Sequence, residues 1–547
     1  MIIVVQASSA QRYFNPILSG FYPDPSICRV GNDYYIVNSS FAYFPGLPIF
    51  HSTDLASWKL LGHAMDRKEQ LDLTNAGVSR GLFAPTIRYK DGTFYILCTL
   101  IDKGGNFIIT AKDPKGPWSN PIWIKEVQGI DPSLDFVDDK AYITYNSVAP
   151  DDKALYDGHR TIRSYEFNLS TMKVVGKERL LVNGGTDLSK KPIWIEGPHL
   201  FKKNGWYYLL CAEGGTGYNH AAVIFRSKTV EGPFVSFDKN PILTQRHLDP
   251  ARANAVTTTG HADFVETPDG RWYAVFLGCR PYEGDYYNTG RETFMLPVQW
   301  ENDWPIMLKG TEQVLHRYPL PFPQGTSIKN EFNGNVKFHD DFKADKLSQR
   351  YIFLRNPDSS HYRIKRNKLN MRLQEATLEG KQSPTFVGFR QHNMTGEASA
   401  KLSFSPASEQ EKSGITIFQS EHHYYFLCKS VTAGKPVVQL FRGAGNTNEK
   451  AAPILMAEQP LPTRDVVYLK IKAEADKYSF FYSTKKNNWQ LLLENVDGKF
   501  LSTKVAGGFV GSLFALHGTS NGAFSQNVAV FDWFEYSGDD AVYKRHQ

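Results

Sequence analysis

Asp24-Pro25-Ser26-Ile27, followed by Asn32-Asp33-Tyr34-Tyr35, is the stretch from which the architecture follows. It reads as a strand, a tight polar turn and a second, aromatic strand. The same frame returns four times: Ala84-Pro85-Thr86-Ile87 to Tyr95, Asp131-Pro132-Ser133-Leu134 to Tyr142, Gly197-Pro198-His199-Leu200 to Tyr208, and Ala262-Asp263-Phe264-Val265 to Tyr273. In every copy a tyrosine stands eleven residues after the first named position. Asp91-Gly92, Asn204-Gly205 and Asp269-Gly270 supply hairpin chemistry, because these residue types tolerate the left-handed backbone of a two-residue turn. The copies start 60, 47, 66 and 65 residues apart, room for four strands each. Ser52-Thr53-Asp54-Leu55 with Trp58, Asp113 to Trp118, and Glu231-Gly232-Pro233-Phe234 read as turns into an outer strand. Five such units with almost no amphipathic helical pattern predict an all-β chain built on a five-bladed β-propeller.

The propeller is expected over residues 12–320. The Pro-rich passage from Tyr318 to Pro323 opens a linker over 321–337, and alternating strands with polar turns then predict a β-sandwich over 338–547. Residues 1–11, with the apolar run and small residues of MIIVVQASSA, read as a signal-peptide remnant or equally as a frayed first strand. The first reading makes the protein extracytoplasmic, periplasmic or secreted. No later apolar run is long enough to span a membrane.

At 547 residues the chain exceeds one hydrophobic core. A net charge of +6 without a basic stripe argues against nucleic acid as a partner. Aromatics reach 14%, which suits both pleated sheets and the stacking of rings on sugars. The five cysteines are scattered and odd in number, which points to buried free thiols rather than a disulfide framework or a zinc site.

The chemistry follows from where acids fall on the repeat. Asp24 and Asp131 occupy the same frame position in two units. Glu196 lies one residue ahead of it in a third, with His261 as its equivalent in another unit and Phe83 preceding the frame in the second. Inner strands of a propeller converge at the axis, so three carboxylates share one depression. Mutual repulsion raises one pKa and leaves a proton donor beside a charged carboxylate, the pairing that glycosidic cleavage needs. For a single Asp before Pro, a capping role is the alternative.

Asn15 to Ser26, Gly81-Leu82-Phe83-Ala84-Pro85, Gly129 to Ser133, Ile195 to His199, Gly260-His261-Ala262-Asp263 and Gly290 to Phe294 resemble the glycoside hydrolase family 43 exo-pentosidases, the β-xylosidase and α-L-arabinofuranosidase group. The resemblance covers nearly the whole chain, including a concanavalin-like β-sandwich. It implies inversion, with Asp24 as general base, Glu196 as general acid and Asp131 tuning Glu196. It further implies that Phe41, Phe83, Arg291 and Phe509 bind the terminal sugar. His261 would be the axial histidine, either hydrogen-bonded or beside a structural Ca²⁺, and no cofactor is required for the chemistry. Phe83 stands where many β-xylosidases of the group carry Trp. The expected activity is therefore α-L-arabinofuranosidase on arabinose- or xylose-containing oligosaccharides of plant hemicellulose. β-D-xylosidase or a bifunctional enzyme is the alternative, and a non-catalytic carbohydrate-binding protein the reading from another class.

Overall fold

The computed structural model describes residues 12–322, 331–445, 451–462 and 465–544. Five antiparallel sheets follow one another, each a meander in chain order. They run Ser26–Val30 to Lys59–Met65, Thr86–Lys90 to Ile122–Trp123, Ile130–Val137 to Lys173–Asn183, Glu196–Lys203 to Val235–Ser236, and Thr257–Glu266 to Trp304–Ile306. Each has four strands in this path, and the fourth carries an extra strand, Leu243–Thr244. First strands of successive sheets lie side by side, and the first sheet meets the fifth, which closes a β-propeller ring. Arg12–Phe14 pairs with Arg317–Pro319 and ties the beginning of the ring to its end. Sheets stacked around an axis are covered on both faces. Second strands such as Trp272–Cys279 are accordingly buried along almost their whole length instead of alternating.

The turns explain the repeat, and one of them corrects it. Asp91 and Gly92 adopt φ of 49° and 74°, Asn204 and Gly205 of 50° and 73°, as a two-residue hairpin turn demands. The fifth turn is longer: Thr267 bridges to Arg271, and only Gly270 of the Asp269-Gly270 pair is left-handed. Cross-strand pairing therefore aligns Ser26, Thr86, Ser133, His199 and Asp263, each facing the residue two after its unit's tyrosine. His261, two residues before Asp263, is thus the equivalent of Asp24 and Asp131. Its expected equivalence to Glu196 was one residue out, because the tyrosine spacing absorbed the longer turn.

The C-terminal sandwich packs a six-stranded sheet, from Thr385–Arg390 to Ile454–Pro460, on an eight-stranded one built around Val528–Gly538 and Thr395–Ser403. Val387, Phe389, Leu469, Phe480, Phe514 and Phe534 fill the space between them. Val466–Glu474 alternates half-buried and buried residues, the signature of a strand with one face on a core. The six-stranded sheet turns its other face to the propeller, where Phe386, Phe418 and Leu513 meet Phe21, Phe41 and Tyr43. Phe353–Leu354 also pairs directly with Tyr43–Phe44. Arg280, paired with Glu292 inside the propeller, crosses the seam to Asp540, and all three are buried. Residues 1–11 and 323–330, where the leader-like stretch and much of the linker were expected, lie outside the described residues. All five cysteines are buried free thiols. No helix among the described residues is long and apolar enough to cross a membrane.

Candidate active site

The inner strands deliver the expected acids to one pocket by a shared backbone device. Between Ile130 and Ser133, Glu196 and His199, and Gly260 and Asp263, three residues on the inner strand span two on its partner. Such bulges re-aim side chains at strand ends. The extra residue sits in the left-handed region each time: Asp131 at φ 54°, Gly197 at 54° and His261 at 51°, with Asp24 at 50° in the matching place. Left-handed Asp and His are costly and cluster at functional sites. Gly197 has a further reason to be glycine: a Cβ there would come within 2.9 Å of the His261 ring. Glu196, one residue earlier at the start of the bulge, lines the same pocket.

Asp24, Asp131, Glu196 and His261 line one pocket together with Phe41, Phe83, Arg291 and Phe509. The four titratable groups are all buried, yet their surroundings push them apart. Burial raises Asp24, but Arg291, His261 and Ser39 outweigh it and hold the carboxyl below its ordinary range. Arg291 donates to Asp24 Oδ1 at 3.0 Å, and the Ser39 hydroxyl donates to Oδ2. Burial, reinforced by Asp131 and Asp24, drives Glu196 well up. Asp131 is raised by burial and by Asp24, with the Gly197 N–H opposing at 3.3 Å. Burial lowers the His261 pKa from its usual value, with the Asp24 carboxylate pulling the other way. One carboxylate that ionises readily now faces one that holds its proton. That division supports general acid–base chemistry.

Aromatic rings close one end. Phe41 lies 5.5 Å from Phe83 and stacks on Phe509 at 5.8 Å, while Phe83 meets Phe509 edge-on at 6.1 Å. Phe509 comes from the sandwich, on a loop whose Gly508 (φ 76°) sits where a Cβ would strike Ser79. The Ser79 hydroxyl accepts from Phe509 N at 2.9 Å. Arg291 spans both domains, stacked within 5.7 Å of Phe41 and 5.5 Å of Phe509. Its Nε is buried with no partner among the described residues, a donor left for a ligand.

His261, Asp131 and Glu196 each bring one donor atom within 4.8 Å of the others. Calcium takes six to eight oxygen ligands, so this trio, with one nitrogen, supplies too few. A cation would also hold Glu196 ionised. A raised, proton-holding Glu196 carboxyl beside Asp131 and His261 fits these residues better than an ion. Deeper along the axis a resident cation is already present. Arg88 donates to Asp263 at 2.8 and 3.1 Å and to Asp135 at 3.0 Å, with its Nη2 3.1 Å from His199 Nδ1.

Trp194, Thr216, Ala84 and Ile130 also line the pocket and were not anticipated. Ala84 and Ile130 are frame neighbours of the acids and were legible from the repeat. Trp194 and Thr216 come from loops outside it, and Trp194 is held at φ 59°, which no local signal announces.

With this geometry in place, the comparisons identify the lineage. The sequence profile of glycosyl hydrolases family 43 matches residues 13–305, and that of the beta xylosidase C-terminal concanavalin A-like domain matches 339–537. A xylosidase/arabinosidase of Butyrivibrio fibrisolvens is 38% identical over 95% of this chain and 98% of its own length. A non-reducing end alpha-L-arabinofuranosidase of Bacteroides ovatus is 36% identical over 97% and 96%. A solved family 43 structure retrieved from a capybara gut metagenome superposes with a TM-score of 0.87 at 38% identity, covering 94% of this chain and 96% of that one.

Proposed function

We propose, from the premise that the chain belongs to glycosyl hydrolases family 43, that it is an inverting exo-α-L-arabinofuranosidase. Asp24, ionised, takes a proton from a water that attacks the anomeric carbon. Glu196, protonated, gives its proton to the departing glycosidic oxygen. Asp131 touches neither water nor oxygen; its charge and its bond to Gly197 N–H set the pKa and direction of Glu196. Arg291 holds Asp24 and offers its free Nε to a hydroxyl of the terminal sugar. The observation that carries the reading is the convergence of Asp24, Asp131 and Glu196 in one buried pocket that the Phe41–Phe83–Phe509 wall closes at one end. The choice of arabinofuranose over xylose rests on Phe83, a smaller ring where many β-xylosidases of the group carry Trp, and on the relative from Bacteroides ovatus. Both activities stand in the name of the Butyrivibrio relative, and β-D-xylosidase is the second reading.

Rates on p-nitrophenyl α-L-arabinofuranoside and β-D-xylopyranoside, with NMR of the sugar first released, test it. A faster arabinoside with inverted anomer is expected. A large xyloside preference would replace the sugar, and a retained anomer would replace the mechanism.

A further inference from the structure

The Phe41–Phe83–Phe509 wall closes the pocket toward the first two sheets and the sandwich. The remaining wall on the Glu196 side is made by Ile130, Trp194 and Thr216. A general acid must stand beside the leaving oxygen, so what departs passes over Trp194 and Thr216, between the third and fourth sheets. One residue outward is Ile193, a large apolar side chain left 52% exposed. Its carbonyl accepts from Gly214 N at 2.8 Å. Ile193 and Gly214 also form the inner wall of a second cleft on the fourth sheet, enclosing about 1330 Å³ of empty space including its open side. The pocket itself encloses about 500 Å³ on the same measure.

The cleft has the mixed character that sugars require. Ile193 offers an apolar surface for a ring face. Beyond it stand Glu213, Asn219, Asp238 and Arg246. Glu213 is fixed by Thr186 N at 2.8 Å, and Arg246 by the Asn219 carbonyl at 3.1 Å. The side chains of Asn219 and Asp238 have no hydrogen bond or ion pair among the described residues, so their donors and acceptors are open to hydroxyls. The lip is also strained: Lys191 (φ 53°) and Trp194 (φ 59°) are left-handed on either side of it. Strain of this kind persists where surrounding structure over-determines the backbone, as in ligand clamps.

We propose that the leaving group is an oligosaccharide main chain bound along this cleft, running from Trp194 and Thr216 across Ile193 to Asn219 and Arg246. The inference rests on the exo-hydrolase reading and adds a second binding site, for the chain that bears the terminal sugar.

The test measures kcat/KM on β-1,4-xylo-oligosaccharides of increasing length that carry one α-L-arabinofuranosyl branch, with the aryl arabinofuranoside as reference. The native protein should gain about tenfold from the shortest to the longest chain. Ile193→Ser and, separately, Asn219→Ala should lower the rate on the longest chain several-fold more than on the aryl glycoside. Both side chains are solvent-facing, so neither variant endangers folding. A flat length dependence, or an unaltered slope in both variants, overturns the proposal. If branches are ignored and unbranched xylo-oligosaccharides are trimmed from their ends instead, the arabinofuranosidase reading fails. The length dependence in that second series then decides the cleft on its own.

Discussion

Replacing Arg291 by Gln tests the ionic logic of the site most directly. Its guanidinium lies 3.0 Å from Asp24 Oδ1, with each side chain only 6% exposed. Two unit charges about 4 Å apart interact by about 4 kcal/mol at an effective dielectric near 20, close to three pKa units at about 1.36 kcal/mol each. His261 and Ser39 remain to favour the ionised form, so the expected rise in the Asp24 pKa is about 1–3 units. Burial, the raising influence on Asp24, then dominates. In a pH profile of kcat/KM on an aryl pentoside, the acid limb reports the base of the free enzyme and should move up by that amount, with a lower plateau as contact to the sugar is lost. The sign for stability reverses at the same time. In the native protein the lowered Asp24 pKa contributes stability above the unfolded value of about 3.9, lost as pH falls through the folded pKa. In Arg291→Gln the raised pKa costs stability as pH rises through it, so the gap in denaturation midpoint should be wide at neutral pH and close in acid. An acid limb that stays in place while only the plateau drops would refute Asp24 as the base that Arg291 controls.

Glu196→Gln should lower kcat on oligosaccharides by about 10²–10⁴, and less on aryl glycosides with good leaving groups; equal losses on both would remove Glu196 as the acid. Because the folded state prefers protonated Glu196, stability from that carboxyl is lost as pH rises through its folded pKa. The Gln variant should therefore melt higher than the native protein at alkaline pH and not in acid, as calorimetry across pH would register. Phe83→Trp places a larger ring between Phe41 and Phe509, at a packing cost of about 1–3 kcal/mol; the ratio of arabinoside to xyloside rates should fall several-fold, and an unchanged ratio would free Phe83 from sugar selection. Arg88→Met leaves Asp263 and Asp135 buried without their cation, at about 3–5 kcal/mol; a urea midpoint equal to the native one would contradict its place at the axis.

The repeat made the ring and its acids legible because the same physics acts five times: a tight turn, an aromatic strand and a convergent first strand. The repeat set Glu196 one residue ahead of the Asp131 position, an offset that strand pairing keeps because both strands carry the same bulge. It slipped at His261 because the Thr267–Arg271 turn is longer while the tyrosine spacing stays the same. Trp194, Thr216 and Ser79 sit on loops whose course is set by contacts such as Trp194 N to the Gly158 carbonyl, and such contacts leave no periodic trace. Phe509 was legible only through the family resemblance. Arg88 stands in the second unit as one more polar residue on a strand, and only closure of the ring brings Asp135, His199 and Asp263 around it.

The loop that carries Phe509 has a consequence for when the protein becomes an enzyme during its synthesis. All three carboxylates, and every strand of the ring, precede residue 320. Phe509, which completes the wall begun by Phe41 and Phe83, arrives almost two hundred residues later, after the ribosome has translated nearly the entire sandwich. A nascent chain whose propeller has already folded is therefore open on that side, and its sugar pocket is finished only when the C-terminal domain docks. On the proposed function, activity is expected to appear with docking of the sandwich and not with closure of the ring that carries the three carboxylates.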